Sequence, residues 1–277
     1  MLDTTEDDAG RLLQARYRQA TATIPPAWNP VLAKLLSHRT VRSYLPDTLP
    51  PGTLETLVAA AQSAPTSSNL QTWSVIAVED RARIARLADL AGAQRHIREA
   101  PLFLVWLADL ARLEQIGRDR EIELEGLKFL ESFLLGVIDA ALAAQNAVIA
   151  LESLGLGTCY IGAIRNKPLE VAAELGLPPN VFAVFGMTVG IPDPARPADI
   201  KPRLPQPVVL HREQYGAPAP ADMLADYDAA LRSFEVEQGM PPDRWTDKAI
   251  SRVRTPQSLS GRDVLRQALH QLGFTLR

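Results

Sequence analysis

The stretch from residue 131 to 154 constrains the fold more than any other part of this 277-residue chain. It is apolar and rich in alanine, at positions 140, 141, 143, 144, 147 and 150, and Gly155 stands where a helix would stop. Its length would suit a bilayer span, but Asp139, Gln145 and Asn146 interrupt it, and each is costly at the centre of a membrane. The reading is a long buried helix whose small side chains let a neighbouring backbone approach closely.

Around this helix the periodicity alternates. Residues 31–36 read as a short helix leading into the basic turn Ser37-His38-Arg39-Thr40-Val41-Arg42-Ser43-Tyr44. Pro50-Pro51 opens a helix with Leu54, Leu57, Val58 and Ala61 at i, i+3, i+4 and i+7, which Pro65 ends. Residues 73–78 are apolar and β-branched, a strand, and residues 81–90 a helix. The unbroken apolar run at 102–107 suits a strand covered on both faces. Strands are expected at 158–164 and 181–191 and a helix at 168–175 closed by Gly176, so helices and strands succeed one another around a central sheet, in an α/β or α+β domain.

The prolines at 192, 194, 197, 202, 205 and 207 then make an extended arm that cannot be ordinary helix or central strand. Two further helices are expected at about 221–236 and 262–272, flanking a turn at 239–242. Residues 1–30 read as an N-terminal extension, polar and then broken at Pro25, Pro26 and Pro30, with a short helix at 11–20. Residues 31–277 read as one domain, with the arm and C-terminal helices at 192–277.

Charge and composition exclude several function classes. With 29 Lys plus Arg against 32 Asp plus Glu and a net charge of −3, the chain lacks the cationic excess that a nucleic-acid backbone requires. The acidic start has no apolar core for a secretory signal. A single cysteine can form neither an internal disulfide nor a CxxC site, which fits a reducing compartment, the cytoplasm by default. The His residues at 38, 96, 211 and 270 have no ligand-like spacing, so no metal site is expected. GxxxxGK[ST], HExxH and GxSxG are all missing. Gly155-Leu156-Gly157 is no dinucleotide fingerprint, because Tyr160 occupies the third glycine position and the glycines follow a helix instead of a strand. Cys159 reads as a small buried hydrophobe, and Asp139 and Gln145 receive no role.

Polar patches at element boundaries carry the functional signal. His38, Arg39, Thr40 and Arg42 offer guanidinium forks, an imidazole and a hydroxyl, which suit a phosphate; a solvated turn is the plain alternative. Thr66-Ser67-Ser68-Asn69 with Gln71 supplies the donors and acceptors that a heterocyclic ring needs, unless it is simply a polar loop. Tyr160-Ile161-Gly162-Ala163 would let a flat ring approach main chain. Lys201 and Arg203 add cations on the arm. Together they point to an anionic small ligand.

These patches, with Gln94-Arg95-His96, Ala144-Gln145-Asn146-Ala147, Leu154-Gly155-Leu156-Gly157 and Lys201-Pro202-Arg203-Leu204-Pro205, resemble the nitroreductase superfamily from about residue 34 onwards. Within it they are most similar to the group of oxygen-insensitive NADPH nitroreductases and NADPH-flavin reductases. The resemblance implies an α+β fold with a central mixed, mainly antiparallel sheet flanked by helices, in an interlocked homodimer with one FMN per subunit at the interface. It also implies ping-pong turnover, with NADPH as co-substrate and a nitroaromatic, quinone or free flavin as oxidant. The chemistry would lie on FMN N5, with no side-chain nucleophile.

Carried over by residue, the resemblance puts His38, Arg39, Thr40 and Arg42 at the FMN phosphate, the ribityl chain or the incoming NADPH phosphate. Ser67, Ser68, Asn69, Gln71 and Gln94 would surround the isoalloxazine, with Tyr160, Ile161 and Gly162 beneath its N5 edge and Ala163 at the ring in place of a second glycine. Lys201 and Arg203 would meet the flavin or its phosphate. Arg262 would line the oxidant pocket, and Arg244 would meet the NADPH phosphate. A flavin-binding carrier or redox sensor without turnover is the alternative.

Overall fold

The computed structural model describes residues 6–18 and 27–277, with the side chains of Glu6 and Asp7 left aside. The end of the expected helix at 19–20 and the prolines at 25 and 26 lie outside the described residues. In chain order the helices are α1 (Glu6–Tyr17), α2 (Pro30–Leu36), α3 (Thr53–Gln62), α4 (Arg81–Leu90), α5 (Arg95–Glu99), α6 (Ala111–Asp119), α7 (Leu130–Ser153), α8 (Pro168–Leu175), α9 (Gln206–Val209), α10 (Ala221–Glu237), α11 (Trp245–Val253) and α12 (Leu265–Gln271). The strands are β1 (Trp73–Val78), β2 (Leu102–Asp109), β3 (Gly157–Ile161) and β4 (Val181–Gly190). The chain divides into two compact units, one of Thr40–Pro197 with Leu259–Arg277 and the other of Met1–Arg39 with Ala198–Ser258.

The first unit is built on a sheet of order β1-β2-β4-β3, and all its pairings are antiparallel. It is the antiparallel sheet of an α+β fold, and the parallel pairing that a mixed sheet would have does not occur among the described residues. β2 lies inside it with both faces buried, because its side chains alternate between two apolar layers. Phe103, Val105 and Leu107 pack with Ile84 and Leu87 of α4 and Val171 of α8. Leu102, Leu104 and Trp106 pack on the other face with Leu57 and Ala61 of α3 and Ala143, Ala144, Ala147, Val148 and Leu151 of α7. A third cluster joins Ala108 and Leu110 to Phe182, Val184, Leu269 and Phe274.

The alanines of α7 therefore do what their size allows: they bring the helix down onto the sheet with no exposed surface at 140, 143, 144 and 147. By length and composition alone α7 could cross a membrane. Here one face is core, while Leu134, Ile138 and Leu142, spaced by four, stand on the exposed side.

Several boundaries differ from the sequence reading. The strand expected at 158–164 ends at Ile161, where the chain turns into a 3₁₀ segment, Gly162–Asn166. Arg165 of that segment hydrogen-bonds the Val184 carbonyl, tying the turn to β4. The helix expected at 262–272 begins as a 3₁₀ turn at Arg262–Val264 before α12. The proline arm contains one helical turn, α9, with proline in its first turn, where a missing N–H is harmless. α5, α6 and α11 were not anticipated.

In the second unit α1 packs on α2, and α10 on α11. Ala9, Leu12 and Leu13 of α1 are buried, as are Tyr227, Leu231 and Phe234 of α10. The N-terminal extension thus contributes apolar residues to the interior of this unit. Asn29 caps α2 by accepting from the N–H groups of Val31 and Leu32.

Phe103 is fully buried against both its neighbours in β4 and the α4 layer. Phe103→Ala is expected to lower the free energy of unfolding by about 3–5 kcal/mol, from lost transfer energy plus a cavity, as read from urea denaturation.

Candidate functional site

The turn that bears Arg42 is fixed from both sides. The Val41 N–H donates to the Thr158 carbonyl at 2.9 Å, and Val41 fits over Gly157, where a Cβ would come within 2.7 Å of it. The Tyr44 phenol donates to the Val41 carbonyl at 2.6 Å and pairs with the Thr188 hydroxyl at 2.7 Å, while Tyr44 bridges Pro192. Arg42 itself is exposed. The Cys159 thiol lies 3.9 Å from His96 Nε2, within the field of the Arg42 charge. Burial pushes the Cys159 thiol above its ordinary range, with Arg42 opposing. Burial, and then Arg42, lowers the His96 imidazole, with Glu99 opposing. These are the features of an inert thiol beside a neutral ring, not of a nucleophile.

The loop at 67–71 is exposed and strained. Ser68, Asn69 and Gln71 all adopt positive φ, at 49°, 55° and 53°, a region that costs side-chain-bearing residues energy. One carboxylate holds it there. Asp139 of α7, 2% exposed, accepts from Thr66 Oγ1 at 2.6 Å, the Ser67 N–H at 3.3 Å, and the Thr72 N–H and Oγ1, both at 3.0 Å. Thr66 Oγ1 in turn accepts the Gln71 N–H at 2.9 Å. Asp139 was given no role from sequence; the signal was there, an acid inside an apolar helix.

Asn69 and Gln71 line an open cavity of about 650 Å³ with Trp73, Val75 and Arg112. Ser67, Ser68, Gln94 and Tyr160 are not among its walls. Gln94 precedes α5 and donates to the Ala91 carbonyl at 2.9 Å. Tyr160 presents its ring edge-on to Phe185, with centroids 5.1 Å apart. The Ile161 side chain belongs to the core, so that residue offers only main chain to a ligand. Ala163 packs partly against the same core.

Gly162 faces two guanidiniums: a Cβ there would lie 3.4 Å from Arg165 Nη2 and 3.9 Å from Arg262 Nη1. Arg262 is aimed by Asn166, whose Oδ1 accepts from its Nε at 2.9 Å. Gly261, at φ +82°, permits this, since a Cβ would stand 2.8 Å from the Asn166 carbonyl oxygen. The structure thus brings Arg262 to the Gly162 turn, and adds Arg165 and Asn166, which sequence reasoning passed over.

The other predicted cations lie in the unit of α1, α2, α10 and α11. The His38 and Lys201 backbones are tied together by Arg16, which donates to the carbonyls of Lys201 and Leu36 at 2.9 Å and of His38 at 2.8 Å. Arg39, Lys201 and Arg203 are exposed, and Lys201 Nζ stands 5.9 Å from the centre of the Phe234 ring. Arg244 precedes α11 and is exposed. Two buried carboxylates of α10 hold its surroundings: Asp228 accepts from the Thr246 N–H and hydroxyl, and Glu235 from the Asp243 N–H and Lys248.

The sequence model of the nitroreductase family matches residues 35–191, and that of the family's C-terminal domain matches residues 201–277. The chain belongs to the nitroreductase family. It is 37% identical over 251 residues to the oxygen-insensitive NADPH nitroreductase of Salmonella typhimurium, covering 90% of this chain and 100% of that protein. It is 37% identical to the FMN reductase (NADPH) of Bacillus subtilis over 80% of this chain and 91% of the relative. Among solved structures, the NADPH:FMN oxidoreductase from Vibrio harveyi complexed with NAD+ superposes with a TM-score of 0.80 and 31% identity, over 90% of this chain and 100% of its own. This nitroreductase family member therefore spans the full length of the Salmonella and Vibrio proteins with about a tenth of its own chain left over, and 91% of the FMN reductase with about a fifth left over.

Asp139→Ala would leave the buried Thr72 N–H without its acceptor. The expected result is a loss of about 1–3 kcal/mol in stability, with faster amide exchange at Gln71 and Thr72 than elsewhere in the sheet unit. Unchanged exchange at those amides would remove the pinning role from the carboxylate.

Proposed function

We propose that this protein is an FMN-dependent NAD(P)H oxidoreductase, preferring NADPH, that carries two electrons to nitroaromatics, quinones or free flavins. The names of its relatives, an NADPH nitroreductase and an FMN reductase, support the reaction class and the cofactor. The observation that carries the reading is the donor set itself. The stretches bearing His38–Arg39 and Lys201–Arg203, distant in sequence, share one unit, with their backbones tied by a single side chain. Cations and an imidazole gathered this way fit a phosphate tail. In the sheet unit, the carboxamides and hydroxyls of the pinned 67–71 loop and the glycine turn at 162 fit the mixed polar edge and flat face of a flavin ring.

In the reaction, FMN supplies a two-electron carrier that no amino-acid side chain can replace. The chain binds and orients. His38, Arg39, Lys201 and Arg203 hold the phosphate, and the charge on Lys201 also favours electron uptake. Thr40 and Arg42 serve the ribityl chain and phosphates. Ser67, Ser68, Asn69, Gln71 and Gln94 hydrogen-bond the ring edge, while Tyr160, the Ile161 main chain, Gly162 and Ala163 support its face. Arg262, aimed by Asn166, receives the electronegative oxygens of the oxidant, and Arg244 with Arg42 meets the nucleotide phosphate. NADPH and oxidant occupy the site in turn, which gives ping-pong order. Residues 31–277 form the cofactor-binding part of a cytoplasmic enzyme.

The protein works as a homodimer. Support comes from the unpartnered face of α7, where Leu134, Ile138 and Leu142 form an apolar stripe beside exposed Phe129 and Leu130.

Purified protein is expected to be yellow, to bleach with NADPH under nitrogen and to recolour when a nitroaromatic or quinone is added. Flavin binding without bleaching would instead identify a carrier or redox sensor. By sedimentation, the wild-type protein is expected to run as a dimer and Ile138→Asp to shift it towards monomer; a wild-type monomer would end the dimer reading.

A further inference from the structure

We infer that α1 is a brace for the two cofactor-phosphate segments, with Arg16 as the positioning residue that sets their spacing. The inference rests on the assignment of His38, Arg39, Lys201 and Arg203 to the FMN phosphate. Arginine is seldom buried unless its donors are used, and Arg16 is 6% exposed. Its Nη1 donates to the Lys201 carbonyl, and its Nη2 to the carbonyls of Leu36 and His38. Leu36 is the last residue of α2, so a guanidinium there meets a helix end whose carbonyls lack intrahelical partners.

The tie also runs the other way, since the Arg16 carbonyl accepts the Arg203 N–H at 2.9 Å. One residue of α1 is thus bonded to the backbones of the segments that carry the imidazole, the ammonium and a guanidinium. α1 is held at its own end as well: Arg18 makes a bidentate pair with Glu237, both contacts at 2.8 Å, and Leu12 and Leu13 are buried.

The geometry requires a planar fork, because three carbonyl oxygens around one group call for several N–H vectors in one plane. α1 lies outside the residues matched by the family's sequence models, which begin at residue 35. The brace is a device of this chain, added to a phosphate site whose cationic and imidazole residues, at 38, 39, 201 and 203, all lie within the matched regions. Its effect is expected on phosphate recognition, since the contacts to Lys201, Leu36, His38 and Arg203 do not involve the elements assigned to the ring.

The test compares FMN with riboflavin, which lacks the phosphate, each titrated into apoprotein and followed by quenching of flavin fluorescence. The wild type is expected to bind FMN more tightly than riboflavin. Arg16→Met is expected to weaken FMN binding tenfold or more while riboflavin binding stays within twofold. Arg16→Lys, with fewer donors out of plane, is expected to lose FMN affinity severalfold with the same selectivity, and it decides the matter if the Met variant fails to fold. Equal weakening of both flavins, or no change in either, would overturn the brace. A wild-type protein that bound both flavins equally would remove the phosphate assignment, and the brace with it; one that bound neither would sink the proposed function itself.

Discussion

Everything in the sheet unit depends on β2 being buried from both sides. A strand with water on one face would alternate apolar and polar residues; here both sets are apolar, so layers must exist on each side. α4 and α8 supply one layer and α3 and α7 the other. The alanines of α7 follow from the same demand, because bulkier residues would hold the helix away from the strand. With α7 seated, its one buried acid reaches the loop before β1, and the edges of the sheet bring the glycine turn and the Arg42 stretch to fixed places.

The exposed candidate groups sit on backbone that polar side chains hold from the inside. Asp139 gathers N–H and O–H donors from residues 66–72. Arg16 does the reverse, gathering carbonyl oxygens from 36, 38 and 201. Each is a buried polar group bonded to several dipoles, an arrangement whose loss leaves unpaired groups in a poor solvent. Asn166 applies the same logic to Arg262 with a neutral carboxamide.

Much of the fold was legible. β1, α4 and α8 fall on the residues read from periodicity, because their apolar spacing and punctuation agree: Asp80 caps α4, and Gly176 closes α8 at φ +63°. α6 escaped notice because Gly117 and its charges dilute the apolar pattern, and α11 because a polar segment between prolines reads as loop. The strand at 158 ends sooner than its apolar run, because residues 161–164 are apolar for packing reasons in a turn as well as in a strand. Among the candidate residues, those that would touch a ligand showed themselves as polar groups at boundaries. Those that hold them did not: nothing local distinguishes Arg16 from any other arginine on a short helix, since its partners lie far away in sequence. How the N-terminal extension packs is hidden for the same reason, since Ala9, Leu12 and Leu13 of α1 gain meaning only from a tertiary partner.

The fastening of residues 41–45 to β3 and β4 divides the molecule's capacity to adapt. Val41 hangs from Thr158, the Tyr44 hydroxyl spans Val41 and Thr188, and the Leu45 N–H meets the Ile191 carbonyl, so this stretch moves only with the sheet. The residues at 67–71, by contrast, are held by side chains, through Asp139, Thr66 and Arg112, and are exposed. Under the proposed assignments, tolerance for reactants of different girth would reside in that loop and in rotamers such as those of Arg42 and Arg262. Evolutionary retuning of selectivity would find its cheapest substitutions there, leaving the anchored rim untouched.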